Sequence, residues 1–368
     1  MLRVANTSST PELAFMIQRE LLLPLVIMLI LGVGLTTLSS AAPGGEFQRQ
    51  FAYLGLGLAA CGVVLWLGRA RIMRYTPHFY LVTVGLLVLT QFLGTEVNGA
   101  RSWLHLGPLP GFQPSELAKL ALIMSLAMVL RKYPITQNPL SYLRPLILIG
   151  IPVGLIVLEP DLGSAIVLLA VGAGMVLVRG IPRWHLALMI VLVVIAAPTV
   201  VWPNLKPHQQ ARVITFVNPA QDPQGSGYQV IQARIAIGSG GLWGKGYKQG
   251  TQGQLGFIPY RHTDFIYPLL AEEGGFIAAA GLLLLYSLLF WRLVSMTVES
   301  INPTDQLAII GVLTLVGFQV LVNIGVTLGL APVTGITLPL VSHGGTSLIS
   351  TLVALSYAYV VHRDRFLD

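Results

Sequence analysis

The chain has 368 residues, of which 54% are hydrophobic and only 10% are charged, and its mean hydropathy is +0.74. These values exclude an ordinary soluble domain, and apolar runs of about 17–25 residues, long enough to cross a bilayer, recur throughout. The net charge is +7 and the single cysteine, Cys61, excludes a disulfide framework. We predict a polytopic membrane protein without a nucleic-acid partner.

Ten predicted helical spans define the fold class, an all-α polytopic membrane protein with a single domain over residues 1–368. Nine or eleven spans also fit the pattern, because the third predicted span is short and the eighth is long. The ten lie near residues 21–41, 51–68, 79–94, 115–130, 145–158, 162–178, 184–202, 264–291, 305–329 and 344–361.

The basic residues orient these spans. If the N-terminus is cytoplasmic, the short outer connections receive only Arg49 and Arg101. The inner side then receives Arg3, Arg19, Arg69, Arg71, Arg74, Arg131, Lys132, Arg144, Arg179, Arg183, Arg292, Arg363 and Arg365. This asymmetry follows the positive-inside rule, so both termini are predicted to be cytoplasmic.

The connection that enters the fourth span carries two charged residues. Ser115 is placed to cap the new helix, and Glu116 and Lys119 are three residues apart, so they share one face and can pair. Glu116 could simply complement the helix dipole while Lys119 neutralises it. A lysine inside a span, however, also indicates an internal polar cavity.

The turn between the fifth and sixth spans reads LEPDLGS, from Leu158 to Ser164. Asp161 is well placed as the N-cap of the following helix, and capping alone would explain it. Glu159 is harder to explain as a cap. The turn therefore could bring a further acid to the outer face.

Residues 203–262 form a long predicted outer connection between the seventh and eighth spans. Tyr228 to Ile237 is spaced like a short interfacial helix, and a glycine-dense piece follows it. Its basic residues would either attract an anionic group such as pyrophosphate or hold a solvated loop at the membrane surface. They are Lys206, Arg212, Arg234, Lys245, Lys248 and Arg261.

Three carboxylates, Asp264, Glu272 and Glu273, lie where this connection enters the eighth span. Thr263 or Asp264 is expected to cap the helix, with Asp264 reachable from outside. Glu272 and Glu273 are expected to lie deeper, with Lys119 as one candidate partner. Arg261 and the helix start would favour ionised Asp264, whereas apolar surroundings would raise its pKa, and the sequence leaves that balance open.

The last outer connection, Leu330 to Ser347, is irregular and carries no charge. Such backbone is tolerated near a membrane where it packs against protein or lines a cavity, which Asn323 and Gln319 could face. The chain has no standard nucleotide, zinc or hydrolase motif. The residues alone allow an enzyme acting on a lipid-linked anion or a transporter that uses acids and a lysine.

Five segments resemble the SEDS family (shape, elongation, division and sporulation) of bacterial peptidoglycan glycosyltransferases. The segment GKG followed by GTQGQLGFIP resembles the rod-shape branch of that family rather than the division branch. The five segments are FQPSELAKLA (112–121), EPDLGSA (159–165), GYQVIQARIAIGSGGLWGKG (227–246), HTDFIYPLLAEEGG (262–275) and LPLVSHGGTS (338–347). His343 stands where the motif would have tyrosine.

The resemblance implies that the protein polymerises lipid II on the outer face of the bacterial cytoplasmic membrane during cell elongation. Asp264 matches the essential acid, the expected general base for the acceptor hydroxyl. The supporting or substrate-binding residues that it implies are Glu116, Lys119, Asp161, Arg212, Arg234, Arg101 and His262.

The same resemblance implies a class B penicillin-binding protein and other elongation proteins as partners. It leaves open whether a divalent cation assists. Two alternatives to the polymerase are a lipid II flippase and a non-catalytic scaffold of the elongation machinery. The outward acids and basic connection favour the enzyme.

Overall fold

The structure is a computed structural model that describes residues 10–42, 44–97, 99–105, 111–218 and 225–364. Arg3 and Arg365 of the predicted inner face lie outside this part. The main helices are α1 (Thr10–Ala41), α2 (Gly45–Leu93), α3 (Pro114–Lys132), α4 (Leu143–Leu158), α5 (Leu162–Arg179), α6 (Arg183–Ala196), α7 (Trp202–Asn204), α8 (Pro207–Val217), α9 (Ser226–Ser239), α10 (Thr251–Gln254), α11 (Ile266–Glu299), α12 (Pro303–Leu328) and α13 (Gly345–Arg363). Two short antiparallel strands, β1 (Thr95–Val97) and β2 (Ala100–Trp103), form a hairpin.

The helix α2 is two spans joined at a glycine. Its 49 residues would extend about 73 Å at about 1.5 Å per residue, more than twice the hydrocarbon thickness of a bilayer. Gly68 interrupts it with φ 68° and ψ 168°, a conformation that glycine adopts readily. The first half packs along α13 and the second along α4, where Tyr80 and Gln91 donate to carbonyls of α4.

Eight helical segments of the described chain are long and apolar enough to cross a membrane. One is α2, which supplies two of the predicted spans because of its break at Gly68. The helix α3 has 19 residues and is mostly buried between other helices. With α2 counted twice and α3 included, the structure matches the ten predicted spans and confirms the all-α membrane fold.

The predicted inner ends of the helices meet at one face of the bundle, here called the arginine-rich face. Arg69 Nε donates to Asp305 Oδ1 at 2.8 Å and joins α2 to α12. Arg292 of α11 and Glu20 of α1 both contact the buried His362 of α13. The opposite face, which carries Asp264, is the site face.

The centre of the bundle is formed by α3, α5 and α12, which pack directly against one another. Their interfaces bury apolar side chains such as Ile123, Val171 and Val312. In contrast, α6 exposes most of its side chains, and His185 is its buried residue.

The predicted outer connection is folded rather than extended. It contains α8, α9 and α10, and α9 confirms the short helix predicted over Tyr228–Ile237. Val230, Ala233 and Ala236 of α9 pack with Phe265, which holds this connection against the entrance to α11. Residues 219–224 of the predicted connection lie outside the described part.

Candidate active site

Asp264 lies in a turn just before α11, not within that helix. Phe265 occupies the N-cap position and no side chain caps the helix, so the predicted cap by Thr263 or Asp264 is wrong. The turn leaves the Asp264 side chain partly exposed, while Phe265 is fully buried. A carboxylate that is not used as a cap remains available for other chemistry.

Three consecutive carbonyl oxygens hold this turn in place, and each accepts from a different donor. The backbone N–H of His343 donates to His262 O at 2.8 Å, and Ser342 Oγ donates to Thr263 O at 2.6 Å. Asn323 Nδ2 donates to Asp264 O at 3.0 Å. We call these three contacts the carbonyl clamp, and together they fix the backbone of Asp264.

Asn323 also ties the clamp to the irregular segment 330–344. Its Nδ2 donates a second hydrogen bond, of 2.8 Å, to Ile336 O. A Cβ placed on Gly335 would lie 3.9 Å from Asp264 Oδ2. The uncharged connection therefore lines the surroundings of Asp264, as predicted for irregular backbone near a membrane.

The pKa of Asp264 is raised from 3.8 to about 6. Burial is the main cause, because it penalises the charged form. The positive charge of Arg212 and a hydrogen bond from Thr263 act in the opposite direction but are weaker. Arg261, the predicted neighbour, instead donates to Ala41 O at 2.8 Å.

A small cleft beside this site brings Arg212 and Arg234 together. Arg212 comes from α8 and Arg234 from α9, and both line the cleft with Thr215, Phe216 and the segment 329–333. Arg234 donates from Nε to Leu328 O at 3.0 Å and from Nη2 to Gly329 O at 3.2 Å. These bonds fix the Arg234 guanidinium at the end of α12.

Glu116 and Lys119 form a buried ion pair in α3. Lys119 Nζ donates to Glu116 Oε1 at 2.6 Å, which confirms the pair predicted from their spacing. Ser350 Oγ of α13 donates to the other oxygen, Glu116 Oε2, at 2.6 Å. Lys119 therefore pairs with Glu116 rather than with Glu272 or Glu273.

The predicted cap by Ser115 is wrong. Gln113 occupies the N-cap position of α3 without a side-chain cap bond, and Pro114 begins the helix. Proline suits the first helical position because its missing N–H would have had no partner there. Ser115 Oγ instead bonds to Ser164 Oγ of α5 at 3.3 Å.

Asp161 caps α5 as predicted, and it also connects two elements. Its Oδ1 accepts from the backbone N–H of Ser164 at 3.0 Å, and its Oδ2 accepts from Gln113 Nε2 at 2.8 Å. Next to it, a Cβ on Gly163 would lie 2.7 Å from Thr334 O. Asp161 thus joins the starts of α3 and α5, and Gly163 brings α5 close to the segment 330–344.

Glu159 is buried, with 1% of its surface exposed, so it does not add an exposed acid to this face. Burial, followed by the charge of Asp161, raises the pKa of Glu159 to about 8. Gln91 Nε2 lies 3.4 Å from its Oε1. The backbone carbonyl of Glu159 accepts from the backbone N–H of Arg101 in β2. The side chain of Arg101 is exposed.

Glu272 and Glu273 are buried, as expected, but their partners do not include Lys119, and the two acids anchor the glycine-dense segment 238–256. Glu272 is fully buried and pairs with Lys245 Nζ at 2.7 Å. It also accepts from the backbone N–H groups of Gln252 and Gly253 at 2.9 and 3.0 Å.

Glu273 accepts from Ser40 Oγ of α1 at 2.6 Å and from Gln254 Nε2 at 3.0 Å. Gly275 then breaks α11 with φ 68° and ψ −169°. The helix that begins near Asp264 therefore does not continue unbroken across the membrane. The three predicted acids therefore separate into one partly exposed carboxylate, Asp264, and two buried carboxylates that anchor a loop.

Several site residues were not predicted individually, although they lie in the motif segments. Gln113 and Ser342 are examples, and each makes a polar contact described above. Ser350 lies three residues beyond the last motif segment. Within the described residues, no group of three or more histidine, cysteine, aspartate or glutamate side chains is arranged to hold a metal ion.

Comparison with known proteins places this arrangement in a family. The family model described as a cell cycle protein, FtsW/RodA/SpoVE, matches residues 12–366. The peptidoglycan glycosyltransferase MrdB of Escherichia coli strain K12 is 34% identical, over 94% of this chain and 93% of its own length. The probable peptidoglycan glycosyltransferase FtsW of Thiomicrospira cyclica is 36% identical, over 90% and 89% respectively.

Solved structures agree with this result. A chain from a study of how a peptidoglycan synthase complex coordinates polymerization and crosslinking has a TM-score of 0.83 and 41% identity, covering 94% of this chain and 98% of its own. The rod shape determining protein RodA of Thermus thermophilus has a TM-score of 0.72 and 38% identity, covering 94% and 97%. This chain belongs to the FtsW/RodA/SpoVE family of cell cycle proteins, the SEDS family that its motifs resemble.

Proposed function

We propose that the protein is a peptidoglycan glycosyltransferase that polymerises lipid II on the outer face of the bacterial cytoplasmic membrane. The observation that carries this proposal is the clamped, partly exposed Asp264 beside the Arg212–Arg234 cleft. Relatives named as peptidoglycan glycosyltransferases match nearly the whole chain, which supports the same chemistry here.

In the proposed reaction Asp264 is the general base. The acceptor hydroxyl attacks the anomeric carbon of the donor sugar and gives its proton to the Asp264 carboxylate. The bond from that carbon to the pyrophosphate oxygen breaks, and undecaprenyl pyrophosphate leaves with the bonding electrons. A carboxylate with a pKa of about 6 is a stronger base than ordinary aspartate, yet it is ionised at neutral pH.

Arg212 and Arg234 are proposed to bind the pyrophosphate. Guanidinium groups bind phosphate oxygens in a bidentate manner, and Arg234 is already oriented by two carbonyls. The departing pyrophosphate gains negative charge as the bond breaks, so fixed cations stabilise the transition state. A divalent cation, if bound, would be held by the Asp264 carboxylate and would supply positive charge to the departing pyrophosphate.

The flippase alternative requires a polar path open to both faces. The arginine-rich face is instead closed by buried contacts such as Arg69–Asp305 and Arg292–His362. This closure supports a site that works from one side. We further propose that the partner is a class B penicillin-binding protein, in line with the synthase complex of the similar structure.

The test is glycan polymerisation from purified lipid II, with the transpeptidase partner present and no other polymerase. Asp264→Asn should lower the rate by about 10²–10⁴-fold, the range for loss of a general base. Glu96→Gln, which removes an exposed acid from the hairpin on the same face, is the matched control. It should keep the full rate.

Folding can be checked independently of activity. Because burial raises the pKa of Asp264 from 3.8 to about 6, its ionisation lowers the free energy of unfolding as the pH rises from about 4 to about 6, and the full loss is present above that range. Asp264→Asn should therefore be at least as heat-stable as the intact chain at pH 7.5. Polymer from a folded Asp264→Asn protein would remove Asp264 as the base, and no polymer from the intact chain would favour the transporter or scaffold.

A further inference from the structure

Five basic residues occupy helix ends on the arginine-rich face, away from the proposed active site. Between residues 131 and 183 the only carboxylates are Glu159 and Asp161, which lie at the opposite ends of α4 and α5. The five are Arg131, Lys132, Arg144, Arg179 and Arg183. The chain thus concentrates positive charge here, and of the five cations Arg131 interacts with a carboxylate, that of the buried Asp305.

Two of these cations share one aromatic ring. The guanidinium carbon of Arg144 lies 3.4 Å from the centroid of the Tyr133 ring, and Lys132 Nζ lies 5.4 Å from it. A cation–π contact holds each cation but neutralises no charge. No ion pair in the described part of the chain includes Lys132, Arg144 or Arg183.

The helix dipoles separate these cations into two groups. Arg131, Lys132 and Arg179 lie in the last turns of α3 and α5, where the dipole favours positive charge. Arg144 is the second residue of α4 and Arg183 is the first residue of α6. Cations are unfavourable at helix N-termini, so an anion from outside the chain would stabilise Arg144 and Arg183.

Side-chain contacts bring these helix ends together. Arg179 Nε donates to Leu130 O at 3.3 Å and joins α5 to α3. Tyr142 and His185 bond through the hydroxyl and Nδ1 at 3.0 Å and join α4 to α6. His185 is 5% exposed, and its Nε2 has no partner in the structure as described.

The surroundings indicate an amphipathic anion. Leu143, Leu146 and Ile147 of α4 are exposed beside Arg144, as lipid-facing residues are. Tyr133 and Trp184 are residue types that favour the boundary between lipid and water. A soluble phosphate would contact only the cations, whereas a phospholipid would also cover the apolar surface.

We propose that Lys132, Tyr133, Arg144 and Arg183 bind the phosphodiester headgroup of an anionic phospholipid. Basic pockets between membrane helices are suited to such headgroups. The negative charge of the phosphate would balance the positive charge at the N-termini of α4 and α6, while the acyl chains lie along α4. Binding there would hold the starts of α4 and α6 together through one lipid.

The test measures heat stability of the purified protein in detergent micelles as phosphatidylglycerol or phosphatidylcholine is added. Phosphatidylglycerol should raise the unfolding temperature of the intact chain, and phosphatidylcholine should not. The variant Lys132→Gln/Arg144→Gln should need at least tenfold more phosphatidylglycerol for the same shift. Arg71→Gln/Arg74→Gln removes two exposed charges from the same face and should respond like the intact chain.

Three results would overturn the proposal. Equal loss of response in both double variants would mean a diffuse charge effect, and no loss in either would exclude the site. An equal shift with inorganic phosphate would mean a site for soluble anions. If Lys132→Gln/Arg144→Gln does not fold, Arg183→Gln, an exposed single change, must weaken the phosphatidylglycerol response at least twofold.

Discussion

Asp264 combines the two properties that a general base needs, namely exposure and a tuned pKa. The turn before α11 leaves the Asp264 side chain partly exposed, and the protein packed around it desolvates the carboxylate and raises its pKa to about 6. Arg212 limits that rise. The proposed general base and the proposed pyrophosphate ligand are therefore electrostatically coupled.

This coupling predicts the pH dependence of polymerisation. Only the ionised carboxylate accepts a proton, so the rate should fall about tenfold per pH unit below about 6 and level off above 7. Arg212→Gln removes a charge that favours ionisation, so the inflection should move to higher pH. Initial rates from pH 5 to 8 test both statements, with donor at saturation.

A flat profile down to pH 5 would contradict the role of Asp264 as the base. An inflection that stays in place in Arg212→Gln would contradict the coupling instead. Heat stability of both proteins across the same pH range separates these effects from unfolding.

Sequence reasoning at this scale succeeded where the chemistry is local. The Glu116–Lys119 pair and the Asp161 cap follow from spacing of three residues on one helix or turn. It predicted that Glu272 and Glu273 are buried but missed their partners, because Lys245 and Ser40 are remote in the chain. A carboxylate that anchors a loop cannot be distinguished by sequence pattern from a carboxylate that takes part in catalysis.

At the scale of elements, the carbonyl clamp joins α12 and the segment before α13 to the turn of Asp264. Asn323 is the central member, because both hydrogens of its Nδ2 are used, for Asp264 O and Ile336 O. The opposite orientation of the amide would place its oxygen against two carbonyls. Irregular backbone is thus positioned by one buried side chain.

Asn323→Ala should therefore impair catalysis more than binding. It leaves two carbonyls without their donor, at a cost of about 1–3 kcal/mol each, and releases the Asp264 backbone. We expect kcat to fall at least tenfold, a small change in KM, and a shifted pH inflection. Polymerisation kinetics on purified protein measure all three.

Thr327→Ala is the matched control, because Thr327 is buried one turn later and bonds within α12 to Ile324 O. It should keep kcat and the pH inflection. If Asn323→Ala keeps both as well, the clamp does not position Asp264.

At the scale of the whole molecule, sequence periodicity and charge predicted most of the architecture. Ten spans with basic residues gathered at one face correspond to the helices and the arginine-rich face of the structure. The second predicted span ends at residue 68, where Gly68 breaks α2, whereas the break of α11 at Gly275 was not predicted. Glycines are frequent in this chain, and only the packing of the helices determines which glycine breaks a helix.

The arginine-rich face also holds the bundle together. Asp305 is 1% exposed and accepts from Arg69, whose backbone N–H donates to Asp364 of the chain's last described turn at 3.0 Å. One arginine thus joins α2, α12 and the end of α13. Breaking a buried pair by removing one partner costs about 3–5 kcal/mol, because the remaining charge stays buried.

Asp305→Ala should therefore lower the unfolding temperature in detergent far more than Arg363→Gln does. Arg363 pairs with Asp364, but its side chain is 41% exposed, and exposed pairs contribute about 0–1 kcal/mol. The double variant Arg69→Leu/Asp305→Leu should recover much of the loss, since it buries no charge. If Asp305→Ala destabilises no more than Arg363→Gln, the pair does not hold this face together, and the closure that favours a one-sided polymerase over a flippase loses its support.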